Sequence, residues 1–302
     1  MIKCYSPTVV SYSIKNGKHL LDFQRIKGDD AMRLSCGRCM ACRLDYARQW
    51  AVRGEKERLL TNGESYFITL TYKEEALGFN DLSVRELQLY VKRLRKAFAP
   101  RKIRYMACGE YGEKKGRAHY HLIVFGLPKL NDLVQDGYKN GITTYTSEVL
   151  TKLWEYGKTV VGNADFAAIS YVARYITKKI NGKKSDDHYL RKEDGLVRQK
   201  EFMLMSRKPG IGHAYLEKYK REMLVDLTIP SEIGKTALPR YYKRKLKEDP
   251  EMAILIKEKE AKYKDDTWKE IDDTDELKRE QEHAYKKEQF FKKLHKNEKG
   301  RV

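Results

Sequence analysis

The stretch "KIRYMACGEYGEKKGRAHYHLIVFG", Lys102 to Gly126, reads as two strands folded back on each other. "KIRYMACGE" and "HYHLIVFG" are rich in β-branched and aromatic residues, and the segment between them, "YGEKKGRA", is charged and carries two glycines. A connection this short joins neighbouring strands antiparallel, because a parallel pair needs a long crossover. The stretch therefore predicts an antiparallel sheet. Side chains alternate along a strand, so His119 and His121 point the same way. Ile123 and Phe125 continue that face, while Tyr120, Leu122 and Val124 take the other.

Two imidazoles side by side on a sheet form a natural pair of metal ligands. The neighbouring strand offers Glu110, at the end nearest the loop, as a third; Glu113 is also near. Mixed imidazole and carboxylate ligation suits Mg, Mn or a related divalent ion. Two histidines that serve only packing or solvent contact are the other reading of the same pattern.

Outward from the hairpin, "SYFITLTY" (Ser65 to Tyr72) reads as a further strand. In "SVRELQLYVKRLRKAF" (Ser83 to Phe98), Ser83 and Glu86 form a capping box. Val84, Leu87, Val91, Leu94 and Phe98 then recur at helical spacing. The fold class is α+β, with a central antiparallel sheet flanked by helices. Three regions follow: a Cys-rich segment and helix (1–62), a domain with the histidines and the best-patterned elements (63–226), and a charged C-terminal tail (227–302). The tail mixes both signs with few apolar positions, which fits a solvated helix or a partly disordered arm.

A second informative stretch is "NADFAAISYVARYITKKI", Asn163 to Ile180. Phe166, Ile169, Ala173, Ile176 and Ile180 form one apolar stripe of a helix. At about 100° per residue, Tyr171 and Tyr175 sit opposite it, with Arg174, Lys178 and Lys179 around them. Tyrosines there are not explained as core. An exposed amphipathic helix is the plain reading. A tyrosine hydroxyl can also attack phosphorus and form a covalent phosphotyrosine, and two on one face allow two successive attacks.

Composition points the same way. Lys and Arg number 62 against 43 Asp and Glu, a net charge of +19 over 302 residues, which suits a polyanionic partner such as nucleic acid. The 21 tyrosines suit stacking on unpaired bases. No apolar run is long enough to span a membrane, and the N-terminus lacks a signal-like apolar core. The five cysteines then fit a reducing compartment. Cys36, Cys39 and Cys42 form C-x-x-C-x-x-C, to which Cys4 can add a fourth thiolate. Four thiolates suit structural zinc, three or four an iron–sulfur cluster, and free cysteines remain an alternative. Cys108 reads as packing. "IGKT" (Ile233 to Thr236) is no phosphate loop, since Ile229 stands where the motif needs glycine.

The His-hydrophobic-His motif "HYH" and the paired tyrosines of "YVARYITKK" together resemble the HUH endonucleases that start rolling-circle replication, and "FITLTY" resembles that family's first motif. The closer resemblance is to the replication initiation proteins of gokushovirus-like microviruses, small single-stranded DNA phages. "SCGRCMACRLDYARQWAVRGEKE", "GEYGEKKGRAHYHLIVFG" and "SRKPGIG" stand here in that family's order, and the resemblance runs from about Cys4 to about Tyr215. It implies an HUH nuclease-like antiparallel sheet backed by helices. It also implies metal-dependent nicking of one origin strand, with a 5′-phosphotyrosine and later strand transfer and rejoining. By position, His119 and His121 look like the metal histidines and Glu110 like the acidic ligand. Tyr171 and Tyr175 look like the nucleophiles, and Lys178 or Lys179 like a helper lysine. Arg117, Arg174, Arg207 and Lys208 are the candidate DNA contacts. Host helicase and polymerase are the implied partners, and the cytoplasm of the bacterial host the implied location. A relaxase or transposase of the same superfamily, and a non-catalytic DNA-binding protein with a structural zinc, are the rival readings.

Overall fold

The computed structural model describes residues 4, 7–15, 18–22, 31–78, 81–112, 116–139, 141–175, 184–191 and 194–267. Three short strands, β1 (Thr8–Lys15), β2 (Lys18–Asp22) and β3 (Ala31–Leu34), form a small antiparallel sheet in the order β2-β1-β3. The helix α1 (Met40–Leu59) follows. The main sheet takes β4 (Ser65–Tyr72), β5 (Arg104–Tyr111), β6 (Ala118–Phe125), β7 (Leu133–Lys139), β8 (Ile142–Ser147), β9 (Gly157–Asn163) and β10 (Phe202–Met205). Its order is β10-β5-β6-β4-β9-β8-β7, with every neighbouring pair antiparallel. Between and after these strands come α2 (Val84–Ala97), α3 (Glu148–Leu153), α4 (Phe166–Arg174), α5 (Lys184–Tyr189), α6 (His213–Leu224), α7 (Arg240–Leu246) and α8 (Pro250–Thr267). The hairpin of β11 (Thr228–Ile229) and β12 (Thr236–Ala237) joins α6 to α7, and "IGKT" runs into β12 rather than into a helix.

The two faces of the sheet bury different cores, as the alternation along β6 requires. Tyr120, Leu122 and Val124 pack with Leu87, Tyr90, Val91 and Leu94 of α2 and with Trp154. Ile123 and Phe125 pack on the opposite face with Ala47 and Ala51 of α1 and with Ile169 and Val172 of α4. Ser83 caps α2 by accepting from the Glu86 amide at 3.2 Å. The second half of the expected capping box does not form. The Glu86 carboxylate accepts from the Tyr72 hydroxyl instead, and the Ser83 amide donates to Tyr120 Oη at 2.7 Å. The buried tyrosines displace the local cap because a hydroxyl in a core must find a partner.

The helix α1 lies close over the sheet because the contacting residues are small. A Cβ on Gly54 would stand 2.6 Å from Ile169 Cγ2 and 2.9 Å from Met106 Sδ. Gly54→Ala is therefore expected to cost about 1–3 kcal/mol through overpacking, read as a lower midpoint in denaturant unfolding. An unchanged midpoint would show that α1 can lift without penalty.

The charged C-terminal region is helical where described, as expected, but its opening part is not a solvated tail. Leu227, Ile229, Leu238, Tyr242, Leu246 and Ile256 are buried in a third cluster with Val52 of α1 and with Leu216 and Met223 of α6. Their spacing is irregular because they come from a hairpin and two helices, so no single period reveals them. No helix among the described residues is long and apolar enough to cross a membrane.

Candidate active site

The β5–β6 register sets Glu110 directly opposite His119 and Cys108 opposite His121. Glu110 Oε1 lies 2.8 Å from His119 Nε2 and 3.0 Å from His121 Nε2, so both rings converge on one carboxylate oxygen. The other ring nitrogens are held from behind. His119 Nδ1 is 3.0 Å from the Arg117 carbonyl, and His121 Nδ1 is 3.0 Å from Thr69 Oγ1 on β4. Partners on Nδ1 fix each ring and aim Nε2 at the common point. Phe67, two residues before Thr69 on the same face, stacks on His121 with centroids 5.4 Å apart.

A ligand atom from each of Glu110, His119 and His121 lies within 4.8 Å of the others. One carboxylate and two imidazoles meeting at a point fit a divalent ion with open positions. Burial opposes ionisation of Glu110, but the hydrogen bonds from His119 and His121 outweigh it and hold the carboxyl well below its usual range. The site is thus a preformed anion flanked by two nitrogen donors. Thr69→Val removes one rear support while keeping the shape. It is expected to weaken Mn binding by about 10- to 100-fold in a calorimetric titration; unchanged affinity would show that packing alone orients His121.

The tyrosine helix departs from expectation. Tyr171 and Tyr175 do not face solvent; they are 5% and 3% exposed. α4 is wedged between the sheet and α1, so the side of the helix opposite its aliphatic stripe is covered as well. Both rings are turned onto the histidines. Tyr171 meets His121 edge-on with centroids 5.2 Å apart, Tyr175 stacks on His121 at 5.6 Å, and the two tyrosines are 4.8 Å apart. Burial, then the negative charge of Glu110, pushes the Tyr175 phenol far above its ordinary value. The regular helix ends at Arg174, and Lys178 and Lys179 lie outside the described residues, as does Glu113.

The four cysteines also come together. Cys4 Sγ lies 3.5 Å from Cys36 Sγ and 3.7 Å from Cys39 Sγ, and the Cys36 and Cys39 amides donate to Cys4 and Cys36 sulfur, each at 3.3 Å. Disulfide sulfurs would be about 2 Å apart. Sulfurs around one tetrahedral ion with about 2.3 Å bonds stand roughly 3.8 Å apart, close to what is seen. The Cys39 amide leads in lowering the Cys36 thiol to about 6, whereas burial pushes Cys42 up to about 12.

The candidate DNA contacts sit in different settings. Arg117, beside His119, donates to the Tyr72 carbonyl at 2.7 Å and pairs with Glu74. Arg174 is half-buried at the end of α4, whereas Arg207 and Lys208 are exposed in the loop after β10. That loop is pinned from below: the Gly212 amide donates to Glu57 Oε2 at 2.6 Å, and Arg104 donates to the Pro209 carbonyl at 2.7 Å. Arg207 reaches a cavity that Tyr175 also lines, together with Trp50 and Arg53 of α1 and Tyr241 of α7. Sequence reasoning misses these last three residues and Thr69. Pairing "FITLTY" with "HYHLIVF" in antiparallel register is the signal that reaches Thr69. The Trp50–Arg53 pair, three apart on a helix, is the signal for the cavity wall.

The family model for replication-associated protein ORF2 matches residues 65–180, from the start of β4 through α4. The replication-associated protein ORF2 of Spiroplasma virus 4 is 31% identical over 288 residues, covering 86% of this chain and 86% of the relative. The chain belongs to this replication-associated protein family. Two further members are similar: the replication-associated protein VP4 of Bdellovibrio phage phiMH2K, 31% identical over 68% of this chain and 65% of the relative, and the replication-associated protein ORF4 of Chlamydia phage 1, 30% identical over 70% and 52%. No solved structure matches significantly. The span matched to the replication-associated family model contains Glu110, His119, His121, Tyr171 and Tyr175. The cysteine cluster, Trp50, Arg53 and Tyr241 lie outside it.

Proposed function

We propose that this chain is the rolling-circle replication initiator of a small single-stranded DNA phage and nicks one strand of the origin through a tyrosine. The observation that carries this is the packing of Tyr171 and Tyr175 against the Glu110–His119–His121 cluster. Nucleophile candidates and a divalent-cation site share one pocket. The net charge of +19 supports a DNA partner.

Glu110, His119 and His121 would hold the ion, Mg or Mn, which when bound polarises the scissile phosphate and offsets its charge. Tyr175 lines the neighbouring cavity, so it is placed to meet a strand first, with Tyr171 behind it. Its phenolic oxygen forms the new bond to phosphorus and gives up its proton. The bond from phosphorus to the 3′ oxygen breaks, and that oxygen takes a proton to become the priming hydroxyl. The 5′ phosphate stays on the tyrosine until the second tyrosine attacks the regenerated junction and the displaced circle is closed. Lys178 or Lys179 is the proposed helper beside them. Duplex opening and synthesis fall to the host's helicase and polymerase in the bacterial cytoplasm.

Cys4, Cys36, Cys39 and Cys42 would hold a structural zinc. Cys39→Ser is expected to remove one zinc per chain and cost at least about 2 kcal/mol, roughly 4–8 °C in Tm, while adduct formation below that temperature persists. A stable variant with unchanged metal content would count against the site.

The test is a labelled single-stranded origin-region oligonucleotide incubated with the protein in Mn or in chelator and run on a denaturing gel. A covalent adduct in Mn, absent with chelator and absent when Tyr171 and Tyr175 are both Phe, is the expected result. The burial of both tyrosines favours one rival, a basic DNA-binding protein in which they only pack. That reading gives binding without adduct on every segment of the phage genome.

A further inference from the structure

Beyond Tyr175 lies a cavity of about 620 Å³, well within the range of ligand sites. Its wall is a three-layer stack: the Arg53 guanidinium lies 3.9 Å from the Trp50 ring centroid and 4.0 Å from that of Tyr241. Arg53 is only 7% exposed, and its Nε donates to the Ile211 carbonyl at 3.0 Å. Among the described residues no carboxylate stands within ion-pair distance of it. Glu57, about one helical turn on, is committed to Arg104 and to the Gly212 amide. A buried cation held by aromatic faces and a carbonyl keeps its charge uncompensated, which is costly unless an anion completes the site. Burial pulls the Arg53 value down only to about 10, so the charge persists at neutral pH.

Arg207 and Arg244, both exposed, add two more cations to the lining, and Tyr46, 41% exposed, adds a free aromatic surface beside Trp50. Glu201, the acid in the lining, accepts from the Tyr189 hydroxyl. The loop can approach this stack because position 210 is glycine: a Cβ there would stand 2.8 Å from the Tyr241 ring and 3.0 Å from Arg53 Nη2. Cations for a phosphate and aromatic surface for a base are the two halves of nucleotide recognition in an unpaired strand.

We propose that this cavity is a subsite for one unpaired nucleotide of the strand held at the Glu110–His119–His121 centre, with its phosphate toward Arg53, Arg207 and Arg244 and its base against Tyr46. The subsite rests on the strand-nicking reading for its position next to Tyr175. α1 and α7 supply most of its wall, so regions on both sides of the family-matched span would help to grip the strand.

Fluorescence anisotropy with the full chain tests it, using end-labelled dT15 and a 15-unit abasic oligomer of the same charge. The wild type should prefer dT15 by about tenfold, and Tyr46→Ala should erase most of that preference. Arg244→Ala should weaken both probes and lower the salt slope by about 1. Both side chains are exposed, so Tm should hold. Displacement of dT15 by equimolar dTMP would reassign the subsite to free nucleotides and overturn the proposal. Wild-type affinity and preference in both variants would also overturn it. The adduct gel separates the two readings. Adduct formation with binding indifferent to Tyr46 and Arg244 sinks the subsite alone. Variant-sensitive, base-dependent binding by a chain that never forms adduct sinks the nicking alone.

Discussion

A chain carrying His119→Ala and His121→Ala is expected to lose metal-dependent adduct formation by at least about a thousand-fold, since an ion of this kind supplies several kcal/mol of charge stabilisation. Much of its salt-sensitive DNA binding should survive, because the net charge of +19 is spread over the whole chain. The variant also strips Glu110 of both hydrogen-bond partners. In the wild type the Glu110 value is depressed, so its contribution to stability is in full above the ordinary carboxylate value of 4.5 and is lost as pH falls below it. In the double variant burial alone remains and favours the protonated acid, so that loss should disappear or reverse. Gel assays with Mn and urea unfolding at pH 3 and pH 7 read the two effects separately. Adduct formation at the wild-type rate would remove the metal assignment, and an unaltered pH dependence of unfolding would remove the account of Glu110.

Trp154→Ala is expected to cost about 3–5 kcal/mol, which lowers Tm by about 10 °C or more. Trp154 is 1% exposed, and its Nε1 donates to the Thr71 carbonyl at 2.9 Å. Its ring meets Tyr72, Tyr90, Tyr120 and Tyr156 at centroid distances of 5.4, 5.9, 5.6 and 4.9 Å. Removing it leaves a void ringed by aromatic edges that cannot close up. Trp154→Phe should cost less, because most of the volume stays and one hydrogen bond is lost. A loss under about 1 kcal/mol for the Ala variant would mean that α2 and α3 collapse into the gap.

What is legible in the sequence is local. The alternation through His119 and His121 assigns both residues to one face, and a short loop is enough to bring Glu110 across from them. The strand Ser65–Tyr72 and the stripe of α2 follow from periods of two and of three to four. What is not legible depends on distant parts of the chain. A helical wheel gives Tyr171 and Tyr175 a side of α4 but not its covering, because α1, more than a hundred residues earlier, is what covers that helix. Arg53 and Tyr241 meet across nearly the whole described chain, so no window holds both. Charge dominates any local reading of the region after Leu227, although its few apolar residues are the ones that pack.

The twenty residues of α1 make a strut about 30 Å long. Cys39 and Cys42 stand at one end, Trp50 and Arg53 near the middle, and Glu57, which anchors the Ser206–Gly212 loop, toward the other. Gly54 seats the strut so tightly on β5 and α4 that it cannot tilt without disturbing both. Whatever loosens the thiol end would therefore be transmitted along a rigid rod to a place that holds no sulfur at all. Loss of metal would act as a remote brake on how the protein grasps its strand, and oxidative stress in a host would reach phage replication through the mechanics of a single helix.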